Sequence, residues 1–273
     1  MEAAILLLGT DGELLRICFI GDVVGAPGKR ALRAVLPELL SRENIDCCII
    51  NAENSSHGIG VNSKIITELC SYGANVITLG NHTFSDREFE TEIKGIKNCV
   101  RPANITPPWP GRNIVVFDKG NERLGVINLL GQVDMSPSAD NPYFKADELI
   151  NELKEQRCTS VFLDFHAEAT SEKQAMGYYL DGRVSVVAGT HTHVQTADER
   201  ILPQGTGYIT DCGMTGVYES ILGMDIETSF TRLVRKIHCR YEPASGSAAI
   251  CGIIFETNLN GRCVSIKRFC EYE

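Results

Sequence analysis

The chain has 273 residues and a formal net charge of −9 at pH 7, with 43% hydrophobic and 22% charged residues. This length and composition are typical of a globular protein with a sizeable core, formed by one α/β domain or two small ones. No apolar run approaches the roughly 20 residues that a membrane span requires, and the negative charge argues against general binding to nucleic acids or anionic membranes. We therefore expect neither a stable nucleic-acid partner nor a membrane partner.

Residues 1–13 are expected to form an N-terminal extension before a single domain over residues 14–273. The extension contains an apolar run at 3–8, but no basic residue precedes this run and no convincing cleavage site follows it. These features favour an extension over a signal peptide. The remainder has no internal repeat, low-complexity tract or linker, which indicates one domain.

The chain has eleven cysteines, and no pair of them has the CxxC spacing of a structural zinc site or a redox motif. Five of them lie inside predicted buried strands, namely Cys18, Cys47, Cys48, Cys251 and Cys263. An odd, scattered set of buried thiols is typical of reduced cysteines in the cytoplasm, where we expect this protein to be found.

The first half of the chain alternates predicted strands and helices. Apolar runs at 14–20, 45–50 and 75–79 predict three strands, because their β-branched residues fit a pleated surface. Helical periodicity predicts a first helix over 29–42, with a kink or early end at Pro37, and a second helix that Ser63 caps. A charged stretch at 86–97 is expected to be helical as well.

The second half is richer in strand. A hairpin is predicted at 114–130 and another at the C-terminus, where residues 258–261 form the turn. The intervening elements are predicted as helices at 146–156 and 171–180 and strands at 160–165, 184–188 and 207–210, with only strand and turn thereafter. This pattern indicates a two-sheet core with helices outside rather than one continuous parallel sheet.

Polar side chains with oxygen or imidazole donors directly follow the predicted strands. At the third strand, Gly80 permits a sharp departure of the chain and presents Asn81 and His82 at the carboxyl end, where open α/β sheets place their ligand sites. The complete set is Asp22, Glu53, Asn54, Asn81, His82, His166, His191 and His193.

These donors need a common partner, because uncompensated burial of each polar group costs roughly 2–7 kcal/mol. Mixed carboxylate, amide and imidazole ligation without thiolate suits Fe, Mn or Zn. Since this set is too large for one ion, we expect two divalent metal ions, with Glu53 as the bridging carboxylate.

Each of these residues also has an ordinary structural explanation when it is considered alone. Asp22 can be a turn or cap residue, and His166 can be a core histidine with its hydrogen bonds satisfied. His191 and His193 can belong to a solvated loop. Glu53 is harder to explain in this way, because a carboxylate directly after an apolar strand requires compensation. Taken together, the pattern favours a metal centre.

Four blocks of this chain, Gly-Asp at 21–22, Asn-His at 81–82, His166 and Thr-His-Thr-His at 190–193, resemble those of the calcineurin-like metallophosphoesterases. Within that group, six motifs resemble most those of the YmdB-like bacterial 2′,3′-cyclic-nucleotide 2′-phosphodiesterases. Two departures from the wider group favour the YmdB-like branch, which shares them: no histidine follows Asp22 at the Asp-x-His spacing, and Thr83 follows His82. The motifs are Gly-Asp-Val-Val-Gly at 21–25, Asn-Ala-Glu-Asn at 51–54, Leu-Gly-Asn-His at 79–82, Arg-Pro-Ala-Asn at 101–104, Gly-Thr-His-Thr-His at 189–193 and Tyr-Ile-Thr-Asp-Cys-Gly-Met-Thr-Gly at 208–216.

The resemblance implies a four-layered α/β/β/α sandwich with a binuclear centre whose metal is commonly iron. It implies that His82 is the proton donor, and we expect a homo-oligomer. By the same resemblance, the first metal is held by Asp22, Glu53, Asn54 and His193, and the second by Glu53, Asn81, His166 and His191.

The activity that the resemblance implies is hydrolysis of small cyclic phosphodiesters, above all 2′,3′-cyclic nucleotides to 3′-nucleotides, by attack of a hydroxide that the metals supply. Two alternatives stay open. One is a phosphomonoesterase, either a nucleotidase or a protein phosphatase, and the other is a regulator that senses a nucleotide without turnover. We expect the loops around Trp109, Tyr143 and Tyr218 to distinguish a diesterase from a monoesterase.

Overall fold

The computed structural model describes residues 14–120, 122–240 and 242–273, so the extension expected at 1–13 lies outside the described residues. The strands are β1 (Leu15–Ile20), β2 (Cys47–Asn51), β3 (Val76–Thr78), β4 (Ile114–Lys119), β5 (Glu122–Leu130), β6 (Ser160–His166), β7 (Val186–Thr190), β8 (Arg200–Ile201), β9 (Gly207–Ile209), β10 (Gly216–Val217), β11 (Ala248–Thr257) and β12 (Cys263–Tyr272). The helices are α1 (Gly25–Arg42), α2 (Ser63–Ser71), α3 (Phe89–Glu92), α4 (Pro142–Glu155), α5 (Thr170–Tyr179) and α6 (Ile226–Leu233).

The strands form two sheets, each of six strands among the described residues. In the first sheet, β1, β2 and β3 are parallel, while β11 is antiparallel to β1 and pairs on its other side with β12. In the second sheet, β5, β6, β7 and β9 are parallel, and β4 and β8 are antiparallel at the two edges. Both sheets therefore contain parallel strands, whose carboxyl ends can carry a common site.

A buried apolar layer joins the two sheets. Phe162 of the second sheet lies between Phe19 and Phe255 of the first, with ring centroids 4.8 Å and 5.6 Å away. On the outer faces, α1 and α2 pack against the first sheet and α4 and α5 against the second, each over its own apolar cluster. The expected four-layered α/β/β/α sandwich is confirmed.

Two details of the N-terminal half differ from the predictions. Helix α1 continues through Pro37 to Arg42, so the early end is wrong. Pro37 has no N–H to donate to the Arg33 carbonyl. Both residues lie on the exposed face of α1, where water can donate a hydrogen bond to that carbonyl instead. The cap of α2 is Asn62 rather than Ser63, because the Asn62 side chain accepts the hydrogen bond from the backbone N–H of Ile65 across 3.0 Å.

The helices elsewhere also depart from the predicted bounds. The charged stretch at 86–97 contains only the single turn α3 and a short 3₁₀ turn, Ile93–Gly95. Helix α4 begins four residues earlier than predicted, since Asn141 caps it and Pro142 occupies its first turn. Helix α6 lies where only strand and turn were expected, and Asp225 caps it by accepting from the backbone N–H of Thr228.

All eleven cysteines are free thiols, as predicted, and the five assigned to buried strands are buried. Among the described residues, no helix combines the length and the apolar character that crossing a bilayer would demand. The homo-oligomeric state and the cytoplasmic location stay predictions.

Candidate metal centre

The predicted site residues come from both sheets and lie at the carboxyl ends of their parallel strands. From the first sheet, Asp22 follows β1, Glu53 and Asn54 follow β2, and Asn81 and His82 follow β3. From the second sheet, His166 ends β6, while His191 and His193 follow β7. The opposed sheets thus bring together residues that are up to 171 positions apart in the sequence.

One half of the centre is organised around His166, which is fully buried. Its Nε2 atom lies 3.0 Å from Oε1 of Glu53, 3.0 Å from Oδ1 of Asn81 and 3.1 Å from Nδ1 of His191. A ring nitrogen carries at most one proton and cannot satisfy all three neighbours. The ligand atoms of Glu53, His166 and His191 lie within 4.8 Å of one another, and this group could hold a divalent ion.

The other half of the centre contains Asp22, Asn54 and His193. Asp22 is fully buried, and its Oδ1 atom has no hydrogen-bond partner among the described residues. Its Oδ2 atom accepts from the backbone N–H of His191 across 3.1 Å. In the described part of the chain, the positively charged group nearest to Oδ1 is Nδ1 of His166, 3.8 Å away. Since a buried carboxylate oxygen without a hydrogen bond is costly, the orphaned Oδ1 fits the role of a cation ligand.

The amide of Asn54 connects the two halves. Its Nδ2 atom donates to Oε1 of Glu53 across 3.0 Å and lies 3.3 Å from Nε2 of His193. Rotation of this amide by half a turn places Oδ1 in the same position, so Asn54 can offer an oxygen ligand there. The chemistry of the donor set therefore fits two divalent ions with Glu53 between them.

The carboxylate and imidazole groups strongly influence one another's ionisation. Burial acts to raise the pKa of Glu53, but the charge of His166 and its hydrogen bond outweigh burial and lower this pKa to about 2. Burial likewise acts to lower the pKa of His166, but Glu53 and Asp22 raise it to about 9. Burial and the charge of His166 lower the pKa of His191 to about 3, and burial lowers that of His82.

Glycine is required at position 80 because there is no space for a side chain. The sequence had suggested instead that glycine permits a sharp turn of the backbone there. A Cβ atom at this position would lie 2.1 Å from Oε2 of Glu53 and 2.5 Å from Nε2 of His166. The φ angle of Gly80 is outside the left-handed range. Both ligand candidates therefore occupy the volume that any other side chain at position 80 would fill.

A cleft of about 650 Å³ opens from the centre to the surface. Trp109 packs on Phe84, Tyr143 on Tyr179 and Tyr218 on Tyr272, and none of these three lines the cleft. That the loops around them distinguish a diesterase from a monoesterase stays a prediction. The side chains that line the cleft are Glu53, Asn54, His57, Ile59, His82, His191, His193, Ile221, Leu222, Met224, Ser229, Leu233 and Arg240, together with Gly58.

The model of the YmdB-like protein family matches residues 18–269 of this chain. The chain belongs to the YmdB-like family. A 2′,3′-cyclic-nucleotide 2′-phosphodiesterase from Bacillus subtilis is 48% identical over 242 residues, which are 89% of this chain and 91% of that protein.

Two solved structures have the same fold as this YmdB-like protein. A hypothetical protein from Thermus thermophilus has a TM-score of 0.88 and 37% identity, with 94% of this chain and 99% of that chain covered. A novel phosphatase from Mycoplasma pneumoniae has a TM-score of 0.89 and 34% identity, with 96% of this chain and 94% of that chain covered. The fold is that of the calcineurin-like metallophosphoesterases, and it implies divalent metal ions.

Thr190 and Asp164 support His166 in this YmdB-like protein, and the sequence analysis missed both. Asp164 is fully buried, and its carboxylate accepts hydrogen bonds from Asn51, Thr78 and Thr190 at 2.6–2.9 Å. Burial is the main influence on Asp164 and raises its pKa to about 7. The signal was present in the sequence, since Asp164 interrupts the apolar run of β6 two residues before His166.

A buried ion pair fixes the turn that carries the other two histidines. Nζ of Lys173 lies 2.9 Å from Oδ2 of Asp211, and both side chains are almost completely inaccessible to solvent. The same Asp211 oxygen accepts from the backbone N–H and the hydroxyl of Thr192, at 3.1 Å and 2.6 Å. His191 and His193 flank Thr192 and have φ angles of 95° and 65°, which are uncommon for residues other than glycine. The Lys173–Asp211 ion pair therefore stabilises the turn in this conformation.

Proposed function

We propose that this protein hydrolyses 2′,3′-cyclic nucleotides, or small cyclic phosphodiesters of the same kind, to 3′-nucleotides at two divalent ions. The observation that carries this proposal is the convergence of Glu53, Asn81 and His191 on Nε2 of His166 beside the orphaned oxygen of Asp22. The name of the B. subtilis relative supports the choice of substrate.

The ligand assignment follows the two halves of the centre, with Glu53 in both. We assign Asp22, Asn54 and His193 to the first ion and Asn81, His166 and His191 to the second. Iron is the metal that the family resemblance implies, while Mn and Zn suit the same donors. When bound, the two ions lower the pKa of a shared water and offset the negative charge of the phosphoryl oxygens.

His82 is the proposed proton donor. Its backbone N–H donates to Oε2 of Glu53 across 3.1 Å, which fixes the chain beside the centre, and its ring lines the cleft. The reaction joins a water oxygen to phosphorus, breaks the bond from phosphorus to O2′ and leaves a proton on O2′. An imidazole at the cleft wall can deliver that proton, and the product is the 3′-monophosphate.

The decisive test compares cyclic diesters with monoesters on protein of known metal content. We expect 2′,3′-cyclic AMP to give 3′-AMP as the only product by chromatography, whereas 3′-AMP and 5′-AMP are not hydrolysed. Elemental analysis should find two metal equivalents per chain. Formation of 2′-AMP would contradict the assignment of the leaving group.

The same assay separates the two alternatives. Release of phosphate from 5′-AMP or from a phosphopeptide at a higher rate would identify a phosphomonoesterase, an activity that the similarity to the M. pneumoniae phosphatase favours. Binding of 2′,3′-cyclic AMP without any product would identify a regulator. Equilibrium dialysis beside chromatography therefore distinguishes all three functions.

A further inference from the structure

The cleft has two chemically different walls. One wall carries the polar residues of the centre, including Glu53, His82 and His193. The apolar part of the lining, called here the apolar wall, is formed by parts of the chain that are distant in sequence: Ile59, Ile221, Leu222, Met224 and Leu233. A ligand that fills this cleft has an anionic end toward the centre and an apolar body against the other wall.

The apolar wall is open to solvent in the structure. Ile59 is 49% exposed, Leu222 46% and Leu233 50%, although all three line one cavity. Exposed apolar side chains that converge on a concave surface are stabilised when a ligand removes them from water. The concave shape and the shared cavity with the centre favour a small molecule over a protein partner.

Two polar groups interrupt the apolar wall. Ser229 is fully buried, lines the cavity and has an Oγ atom without a hydrogen-bond partner among the described residues. Arg240 also lines the cavity, and its guanidinium group can only donate hydrogen bonds. A ligand with a flat apolar face and polar atoms along its edge would complement both features.

We infer that this wall, defined by Ile59, Ile221, Leu222, Met224, Ser229, Leu233 and Arg240, is the subsite for the nucleobase. The inference rests on the proposed function and extends it to substrate selection. The base stacks against the aliphatic side chains, and its edge meets the Ser229 hydroxyl and the Arg240 donors. The apolar contacts recognise no particular base, so the subsite selects a cyclic nucleotide over a cyclic phosphate that lacks a base.

A hydrogen bond connects the subsite to the candidate metal centre. The carbonyl oxygen of Leu222 lies 3.1 Å from Nδ1 of His193. A carbonyl can only accept, so Nδ1 carries the proton and Nε2 faces Asn54. The wall that contacts the base therefore also orients one of the proposed metal ligands.

Neighbouring residues of one helix end provide a matched test. Leu233 and Val234 are both exposed, at 50% and 69%, but only Leu233 lines the cleft. We would measure kcat/KM for 2′,3′-cyclic AMP and for methyl riboside 2′,3′-cyclic phosphate, which has no base. In Leu233→Ser, the ratio of the two values should fall about tenfold, the usual effect of lost apolar contact in a pocket. Val234→Ser should keep the wild-type ratio.

Arg240→Gln provides a second variant that leaves the apolar wall intact. The ratio should fall here too, because the base edge loses charged donors. An unchanged ratio in both Leu233→Ser and Arg240→Gln would overturn the subsite, while hydrolysis of the cyclic substrates would leave the proposed function standing. If the wild-type protein hydrolyses neither cyclic substrate, the proposed function fails and the subsite fails with it.

Discussion

The hydroxyl of Thr190 accepts the Nδ1 proton of His166 across 2.8 Å. This direction holds when Asp164 is ionised, because the Thr190 hydroxyl then donates its own proton to Asp164, 2.6 Å away. The other ring nitrogen, Nε2, is thereby directed at Glu53 and Asn81. Groups that hold a metal-ligating histidine in this way contribute substantially to metal affinity.

Thr190→Val should therefore weaken metal binding by roughly 10–100-fold, because His166 loses the acceptor that orients its ring. Titration of metal-free protein with Mn²⁺ in a calorimeter measures the change. Thr190→Ser keeps the hydroxyl and should bind Mn²⁺ as the wild type does. Equal weakening in both variants would point to packing of the Thr190 methyl group instead.

His82→Ala should keep its metal but lose turnover by roughly 10²–10⁴-fold, which is the usual contribution of a general acid. The measurements are elemental analysis and the rate of 2′,3′-cyclic AMP hydrolysis. His238→Ala is the matched control, because His238 is exposed and does not line the cleft. Parental turnover in His82→Ala would remove His82 from the mechanism.

Asp22→Ala should lower the metal content, because it removes a buried carboxylate whose Oδ1 atom has no hydrogen-bond partner among the described residues. Chelation should then lower the Tm of the wild type more than that of the variant, since a bound metal stabilises only the folded state. The control is Asp118→Ala, whose carboxylate is 61% exposed and paired with Arg123 at the surface. Unchanged metal content in Asp22→Ala would exclude Asp22 as a ligand.

Metal binding should depend on pH because a metal and a proton compete for His166. In the metal-free protein the pKa of His166 is raised to about 9, whereas Glu53, with a pKa of about 2, is already ionised at neutral pH. Below pH 9, binding must displace the His166 proton, so affinity should fall as the pH falls. Calorimetry in buffers of different ionisation enthalpy should detect this released proton, and binding without proton release at neutral pH would contradict it.

The raised pKa of His166 also predicts how the stability of the metal-free protein varies with pH. A histidine whose folded-state pKa lies above the unfolded value stabilises the fold most below pH 6.5, and this contribution is lost as the pH rises through 9. Urea unfolding of metal-free protein should therefore show lower stability at pH 9 than at pH 6.5. His166→Gln should flatten that dependence.

Gly80→Ala should destabilise the fold by about 1–3 kcal/mol and reduce metal binding, because the added Cβ overlaps Glu53 and His166. Urea unfolding and metal content measure the two effects. Gly95→Ala is a sharp control, since a Cβ at Gly95 meets nothing within 4 Å. Normal metal content in Gly80→Ala would show that the centre adapts to the extra atom.

The convergence of the candidate site residues could be predicted because each group of them follows an apolar run. A strand ends where its burial ends, so a polar residue at that point is conspicuous in the sequence, as Glu53 is after β2. The two-sheet architecture was predictable for a related reason, since strand-helix alternation changes to consecutive strands near residue 114.

The supporting network and the cleft could not be predicted in the same way. Lys173 lies within α5 and Asp211 in a loop, and only the fold brings this pair together. Ile59 and Leu233 share a wall across 174 positions. Leu233 belongs to α6, whose apolar residues are exposed rather than packed into a core. Local patterns carry no information about such distant contacts.

The hydrogen bond from His193 to the Leu222 carbonyl has a consequence for redesign of this protein. Leu222 has a φ angle of 54°, so the direction of its carbonyl depends on a backbone conformation that is uncommon for leucine. If His193 is the metal ligand proposed above, engineering the loop for a new substrate would also change how firmly the enzyme retains its metals. Variants chosen for selectivity should therefore be screened for metal retention.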